Sequence, residues 1–253
     1  IGFIHIYIYM VKKHFITYAD NKFLKAKKRI LNEAQNTEWF DSIKGYGPNN
    51  LSPEFKKKHK NVLELKRGGG YWIWKIDIIL QKLNEINDDD FLIYCDAGCT
   101  INKNGKERFN EYIKLLENQN EFGIISFELF SKEICFTTKN IFDYFNIEIN
   151  SKISNSNQLC GGILIMKKNQ HLLNILKIYK NLLDKNNLLI TDYYNNINKI
   201  NNKFFKDNRH DQSIFSVIRK IYGSIILKDE TYFKNFKSIE AKKFPFWATR
   251  KKK

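Results

Sequence analysis

The chain has 253 residues, of which 43% are hydrophobic and 15% aromatic. This is enough for one large α/β domain or two small ones, and it excludes global disorder. Only three Pro and 12 Gly are present, which excludes a collagen-like or linker-rich chain, and the net charge is +16. Because the Lys residues are scattered, we interpret the charge mainly as solvated faces and expect no specific nucleic-acid partner.

The chain starts with a short apolar run over residues 1–11. A helix that spans a membrane needs about 20 apolar residues, so this run is too short. We treat residues 1–12 as an apolar extension, either an extra strand or the remnant of a longer anchor, and residues 13–253 as one domain. We expect a cytoplasmic location, with peripheral membrane association as an alternative. The four Cys residues form no CxxC pair, which indicates free thiols in a reducing compartment.

Short β-type runs alternate with helical patterns along the domain. The predicted strands are residues 15–19, 91–95, 123–127, 162–166 and 224–227. Apolar stripes with helical spacing cover residues 72–83, 109–116, 172–183 and 214–222. This alternation predicts an α/β fold in which a central, mostly parallel mixed sheet carries helices on both faces.

Two segments between these elements have no clear periodicity, residues 36–66 and 130–159. We expect irregular loops there, because long loops in a compact domain often act as lids or acceptor-binding elements. Ligands of open α/β sheets bind at the carboxyl ends of the strands. Asp20 and Asp96 both follow predicted strands and are therefore candidate site residues.

Four short segments combine glycines with polar groups. In the first, three glycines precede a helix and are flanked by Arg67 and Lys75. It has neither the Walker nor the GxGxxG pattern, so a flexible turn and an anion-binding loop remain equally good interpretations. Lys75 lies about one turn into the helix, where it could reach a diphosphate.

The second segment places Asp96 at a strand end, where a carboxylate anchors Mg²⁺ or Mn²⁺ or simply caps a turn. In the third, Gly161 and Gly162 open a strand, which fits close approach by a substrate or a tight turn. The fourth, residues 208–213, opens an amphipathic helix. Capping explains its Asn and Asp residues, but not the whole Arg-His-Asp-Gln cluster.

Together these segments resemble glycosyltransferases of the GT-A fold that use nucleotide-diphosphate sugars. The resemblance is carried by G-Y-W-x-W-K at residues 70–75, Y-x-D-A-G-C at 94–99, C-G-G at 160–162 and R-H-D-Q-S at 209–213. The order and spacing match over almost the whole chain. Each motif is modest, whereas the ordered set is fairly specific.

The resemblance implies a role for each segment. The end of the first strand would receive the base and ribose, and Asp96 would stand at the D-x-D metal motif, with His210 as a further metal ligand or phosphate contact. Asp211 and Gln212 would lie near the reacting sugar, with Asp211 as the base of an inverting enzyme. The residues implied in nucleotide or donor binding are Thr17, Tyr18, Ala19, Asp20, Gly70, Lys75, Asp96, Ala97, Gly98, Gly161 and Gly162.

One position departs from the family pattern. A complete D-x-D motif needs an acid where this chain has Gly98, so a metal site would use Asp96 with partners elsewhere, or be absent. The resemblance implies Mn²⁺ or Mg²⁺, a nucleotide-sugar donor with UDP-sugars first, and a glycan, protein or lipid acceptor. The alternatives are a nucleotidyltransferase on a similar sheet, a basic protein that binds nucleic acid or an anionic surface, and a ligand-binding protein without catalysis.

Overall fold

The computed structural model describes residues 10–119, 121–196 and 201–252. Most of the predicted extension, residues 1–9, lies outside the described residues, so its boundary at residue 12 stays a prediction. The strands are β1 (Lys13–Tyr18), β2 (Ser42–Tyr46), β3 (Phe91–Cys95), β4 (Thr100–Ile101), β5 (Ile124–Lys132), β6 (Asn157–Leu159), β7 (Ile163–Lys167), β8 (Ile225–Lys228) and β9 (Phe246–Trp247). The helices are α1 (Leu24–Thr37), α2 (Pro53–Lys58), α3 (Lys60–Leu63), α4 (Gly68–Tyr71), α5 (Trp74–Glu85), α6 (Lys106–Asn118), α7 (Glu133–Phe136), α8 (Lys139–Tyr144), α9 (Lys152–Asn155), α10 (Gln170–Lys185), α11 (Asp211–Tyr222) and α12 (Ile239–Lys242).

The central sheet has seven strands in the order β2-β1-β3-β7-β5-β6, with β8 beside β5, and β4 pairs separately with β9. The pairs β1–β2, β1–β3 and β5–β8 are parallel. The pairs β3–β7, β5–β7 and β5–β6 are antiparallel. The predicted α/β class with a mixed central sheet is confirmed.

Strand β3 is central because both of its faces are buried. Leu92 and Tyr94 face a core built with α5, α10 and α11. Phe91, Ile93 and Cys95 face a second core built with α1 and α6. All five residues are apolar or aromatic, as a strand covered on both faces requires. Helices therefore cover both faces of the sheet.

The two segments expected to be irregular contain regular elements. Residues 36–66 include β2, α2 and α3, and residues 130–159 include the end of β5, α7, α8, α9 and β6. Strand β2 reads Ser-Ile-Lys-Gly-Tyr and is mostly half-buried at the edge of the sheet. An edge strand of this kind has no continuous apolar run, so the sequence pattern did not indicate it.

The topology brings several chain segments to one edge of the sheet. Strands β1 and β3 are parallel, so Asp20 and Asp96 follow them at the same edge. Strand β7 runs the opposite way and starts there, next to Gly162, whose carbonyl accepts a hydrogen bond from the Asp96 amide at 2.8 Å. In the described part of the chain, no helix has the length and apolar character that a membrane crossing requires.

Replacing a central residue of β3 should weaken the whole fold. Leu92 is completely buried, and Leu92→Ala should lower the free energy of unfolding by about 2–5 kcal/mol, because it leaves a cavity in the core between the sheet and helices α5, α10 and α11. Urea unfolding measures this. Leu65, which is 41% exposed, gives the control Leu65→Ala. Equal losses in the two variants would contradict the central position of β3.

Candidate functional site

Lys75 lies at the centre of the site. It belongs to the first turn of α5 and is only 4% exposed. Its Nζ donates a short hydrogen bond to Asp211 Oδ2 and a second hydrogen bond, of 2.9 Å, to the Gly161 carbonyl. The same Nζ lies 3.3 Å from Asp96 Oδ1. Burial by itself would lower the pKa of Lys75, but Asp211 and Asp96 outweigh burial and raise it. Lys75 is therefore a fixed positive charge.

Asp211 is the buried carboxylate of this cluster. It is the first residue of α11, and it is 7% exposed. Burial raises the pKa of Asp211, Lys75 lowers it and Asp96 raises it, so that the pKa lies above its ordinary value. A titratable group shifted by burial and by specific charges is typical of functional sites.

Asp96 is the more open carboxylate, with 37% of its side chain exposed. The Tyr94 hydroxyl donates a hydrogen bond to its Oδ1. A Cβ atom at Gly162 would lie 2.8 Å from Asp96 Oδ2, so only glycine leaves this carboxylate where it is. The predicted close approach at Gly162 thus has a specific neighbour.

Gly161 and Gln212 are hydrogen-bonded and closely packed. The Gly161 amide donates to Gln212 Oε1 at 3.1 Å, and Gln212 Nε2 donates to Gln158 Oε1 at 2.8 Å. A Cβ at Gly161 would lie 2.9 Å from the Gln212 Cβ. The structure therefore brings together six of the residues predicted from the sequence: Lys75, Asp96, Gly161, Gly162, Asp211 and Gln212.

The end of β1 lies beside the glycine turn. Tyr18 stacks on Trp74 with ring centroids 3.7 Å apart. Asp20 accepts a hydrogen bond from the Lys22 amide, and a Cβ at Gly69 would lie 3.4 Å from Asp20 Oδ2. Asp20 is half-buried, so its carboxylate is both a cap and a group at the surface of the site.

Two other residues at this end of the sheet are fully packed. Thr17 is completely buried and its Oγ1 has no hydrogen-bond partner. Ala19 is 3% exposed, and its amide donates to the Tyr46 carbonyl at 3.2 Å. Gly70 has φ +93°, and a Cβ there would lie 2.8 Å from the Leu63 Cα, so packing of the turn explains this glycine without a ligand.

Ala97 and Gly98 are covered by other parts of the chain. The Ala97 carbonyl accepts a hydrogen bond from Arg29 at 2.9 Å. The Gly98 carbonyl accepts from the Lys251 amide at 2.8 Å and from Thr249 Oγ1 at 2.9 Å. A Cβ at Gly98 would lie 3.3 Å from the Arg250 Cα. A second acid at this position would meet the backbone of residues 250–251.

His210 forms a second cluster, with Asp192. Its Nε2 lies 3.0 Å from Asp192 Oδ1, and Asp192 also accepts from Arg67 at 2.7 Å and from the Tyr71 hydroxyl at 2.9 Å. Burial lowers the pKa of His210, so the ring is neutral at neutral pH. Sequence reasoning missed Asp192, because it lies in a loop without periodic signal and meets its partners only through the fold.

The side chains around Asp96 do not fit a divalent cation. In the part of the chain that the structure describes, no group of three or more His, Cys, Asp and Glu residues is arranged to hold a metal ion. Asp96 faces the ammonium of Lys75, and His210 Nε2 is engaged with Asp192. Hard cations need several oxygen ligands. The metal site expected at Asp96 and His210 stays a prediction, and the described residues around it do not form a set of metal ligands.

Comparisons with known proteins support the fold. No protein-family model matches the sequence, and no curated protein matches it. Among solved structures, a glycosyltransferase involved in the glycosylation of the major capsid of PBCV-1 is similar over 93% of this chain and 91% of its own, with TM-score 0.51 and 11% identity. Mouse xyloside xylosyltransferase 1, in its apo form, is similar over 88% of this chain and 87% of its own, with TM-score 0.48 and 12% identity. We rest the GT-A-like fold on the first of these, and at this identity the likeness concerns the fold alone.

Removing the central charge should destabilise the protein. Lys75→Met leaves Asp211 buried without its partner and should cost about 3–5 kcal/mol of unfolding free energy, as measured with urea. Lys44→Met is the control, since its pair with Glu85 is 40% and 44% exposed and contributes about 1 kcal/mol or less.

The pH dependence of the same variant gives a second check. Lys75 is the strongest group that lowers the pKa of Asp211, so Asp211 should take up a proton at higher pH in Lys75→Met. A raised folded-state pKa contributes stability at low pH that is lost as the pH rises. The variant should therefore recover stability on acidification more than the wild type does. A constant difference across pH would show that Asp211 is not the stranded charge.

Proposed function

We propose that this protein is a glycosyltransferase that moves a sugar from a nucleotide-diphosphate-sugar donor to a hydroxyl acceptor. The observation that carries the proposal is the buried Lys75 between Asp96 and Asp211 at the strand-end edge of a GT-A-like sheet. Ligands of such sheets bind at this edge. The fold alone does not define a reaction, so the residues of the site must support it.

Glycosyl transfer places two requirements on a site. The leaving diphosphate has to be neutralised, and the acceptor hydroxyl has to be positioned and deprotonated. Asp96 is the open carboxylate at the edge, and the two glycines at 161 and 162 leave room for close approach. In this proposal the donor sugar lies against these glycines.

Asp211 is our candidate general base for an inverting reaction. Burial raises its pKa above the ordinary value, and a base accepts a proton more effectively when its pKa approaches the working pH. The buried Lys75 holds the carboxylate in one position through its hydrogen bond. A retaining reaction would need no dedicated base there.

The nucleotide would lie at the end of β1. Asp20 is half-buried beside the glycine turn, whereas the Thr17 hydroxyl is completely buried. A ribose or base could use the Asp20 carboxylate. We take UDP-sugars as the first donors to test, Mn²⁺ or Mg²⁺ as a requirement that chelation decides, and a glycan, protein or lipid as the acceptor.

Substitution of the two carboxylates tests the reaction. Asp211→Asn and Asp96→Asn should each reduce transfer or donor hydrolysis by about 100-fold or more, since removal of a general base or of a site charge has this effect. Chromatography of the products should show a nucleoside diphosphate, whereas a nucleotidyltransferase would release pyrophosphate. Asp143→Asn, at an exposed pair with Lys139, is the matched control. Unchanged activity in both site variants, with intact melting curves, would refute the proposal.

The donor is identified by a thermal-shift screen with UDP-, GDP- and CMP-sugars, each with Mn²⁺ and with EDTA. The donor that binds the folded state raises the melting temperature by mass action. With that donor, the rate should fall on acidification through the raised pKa of Asp211, because a base must be deprotonated. A rate independent of acidification would remove Asp211 from this role.

A further inference from the structure

A left-handed turn over residues 68–72 precedes Lys75. All five residues of this turn, three glycines followed by Tyr71 and Trp72, have positive φ angles, between +52° and +93°. Glycine adopts this region readily, whereas two successive residues with side chains do so only at a cost in energy. The turn leads directly into α5, where the Lys75 amide donates to the Trp72 carbonyl at 3.0 Å. The position of Lys75 therefore depends on a strained turn.

A second strained residue precedes Asp211. His210 has φ +60° and ψ −121° and lies directly before α11. Residues with a side chain rarely adopt this conformation. The His210 amide donates to Asn208 Oδ1 at 3.2 Å, and Asn208 Nδ2 donates at 3.0 Å to two carbonyls of residues 189–191. Asn208 thus joins the start of α11 to the segment that leads into Asp192.

Asp192 contacts both strained segments. Its Oδ2 accepts hydrogen bonds from the Tyr71 hydroxyl at 2.9 Å and from Arg67 at 2.7 Å, and its Oδ1 lies 3.0 Å from His210 Nε2. A carboxylate only accepts hydrogen bonds, so Nε2 is the donor. The Trp72 ring also stacks on the His210 ring, with centroids 5.2 Å apart. One carboxylate therefore joins the left-handed turn to the start of α11.

We propose that Asp192 is a positioning residue that sets the distance between Lys75 and Asp211. These two groups are the cation and the acid of the site, and each follows a strained segment that Asp192 contacts. Strained backbone persists only where the surrounding structure holds it. Without Asp192 the turn and His210 relax separately, and the two charged groups move relative to each other. The consequence for catalysis rests on the proposed function.

Amide hydrogen exchange followed by mass spectrometry tests the positioning role without a ligand. Asp192→Asn keeps the shape of the side chain and replaces one acceptor oxygen with a donor. It should speed exchange about 10-fold or more at residues 68–75 and 210–214 together, as expected for the loss of a charge-assisted hydrogen bond. Asp184→Asn is the matched control, because Asp184 Oδ1 also lies 3.2 Å from the Nε2 atom of a buried histidine, His59. Faster exchange that is confined to the loop around residue 192, or the same pattern in the control, would overturn the proposal.

A double-mutant cycle separates positioning from a local loss of contacts. Asp192 and Lys75 share no hydrogen-bond or ion-pair partner among the described residues, so purely local losses of stability would add. If Asp192 acts through Lys75 and Asp211, Asp192→Asn combined with Lys75→Met should lose less stability in urea than the sum of the single losses. Asp184→Asn with Lys75→Met should be additive. Additivity in the first pair would refute the positioning role, and if the double variant does not fold, exchange in the single variants decides.

Kinetics with the donor found by thermal shift separates this inference from the proposed function. Asp192→Asn should lower kcat by about 100-fold and leave KM for the donor unchanged, because misplaced groups slow the chemical step more than they weaken binding. If the wild type turns over a donor and kcat of Asp192→Asn is unchanged, the positioning role is refuted and the glycosyltransferase proposal stands. If exchange and the cycle give the expected results but no nucleotide sugar is bound or turned over, the positioning role stands and the proposed function fails.

Discussion

The ion pair between Lys75 and Asp211 is the interaction on which the site depends. A buried ammonium is tolerated only when acids and carbonyls satisfy it, and here the partners come from α11, from the end of β3 and from the chain between β6 and β7. The pair therefore fixes three segments that are distant in sequence. Gly161 belongs to the same arrangement, because its carbonyl accepts a hydrogen bond from Lys75. Any larger residue there would place its Cβ 2.9 Å from the Gln212 Cβ.

A second buried cation contacts the backbone just before Gly161. Arg219 is fully buried and donates to the carbonyls of Leu159 and Cys160 at 3.2 and 2.9 Å. These carbonyls immediately precede Gly161. The backbone of residues 159–161 thus accepts hydrogen bonds from both Lys75 and Arg219. Two charged groups hold the short stretch between β6 and β7 through directional hydrogen bonds.

The sequence predicts much of this arrangement because the signals are local. Five strand residues run directly into Asp96, and Asp211 lies just before the apolar stripe that starts at residue 214, so the alternation of strands and helices is enough to bring both near one edge. Other features depend on long-range contacts that leave no local pattern. Strand β2 is a half-buried edge strand that contains Lys44 and Gly45. The packing of Arg250 on Gly98 joins residues about 150 positions apart and becomes visible only in the fold.

The absence of an acid at position 98 is best understood together with that packing. An aspartate there would add negative charge beside Asp96, which a metal ion would have to compensate, and its Cβ would press on the backbone of Arg250. Glycine at position 98 carries no charge and leaves room for the backbone of residues 250–251.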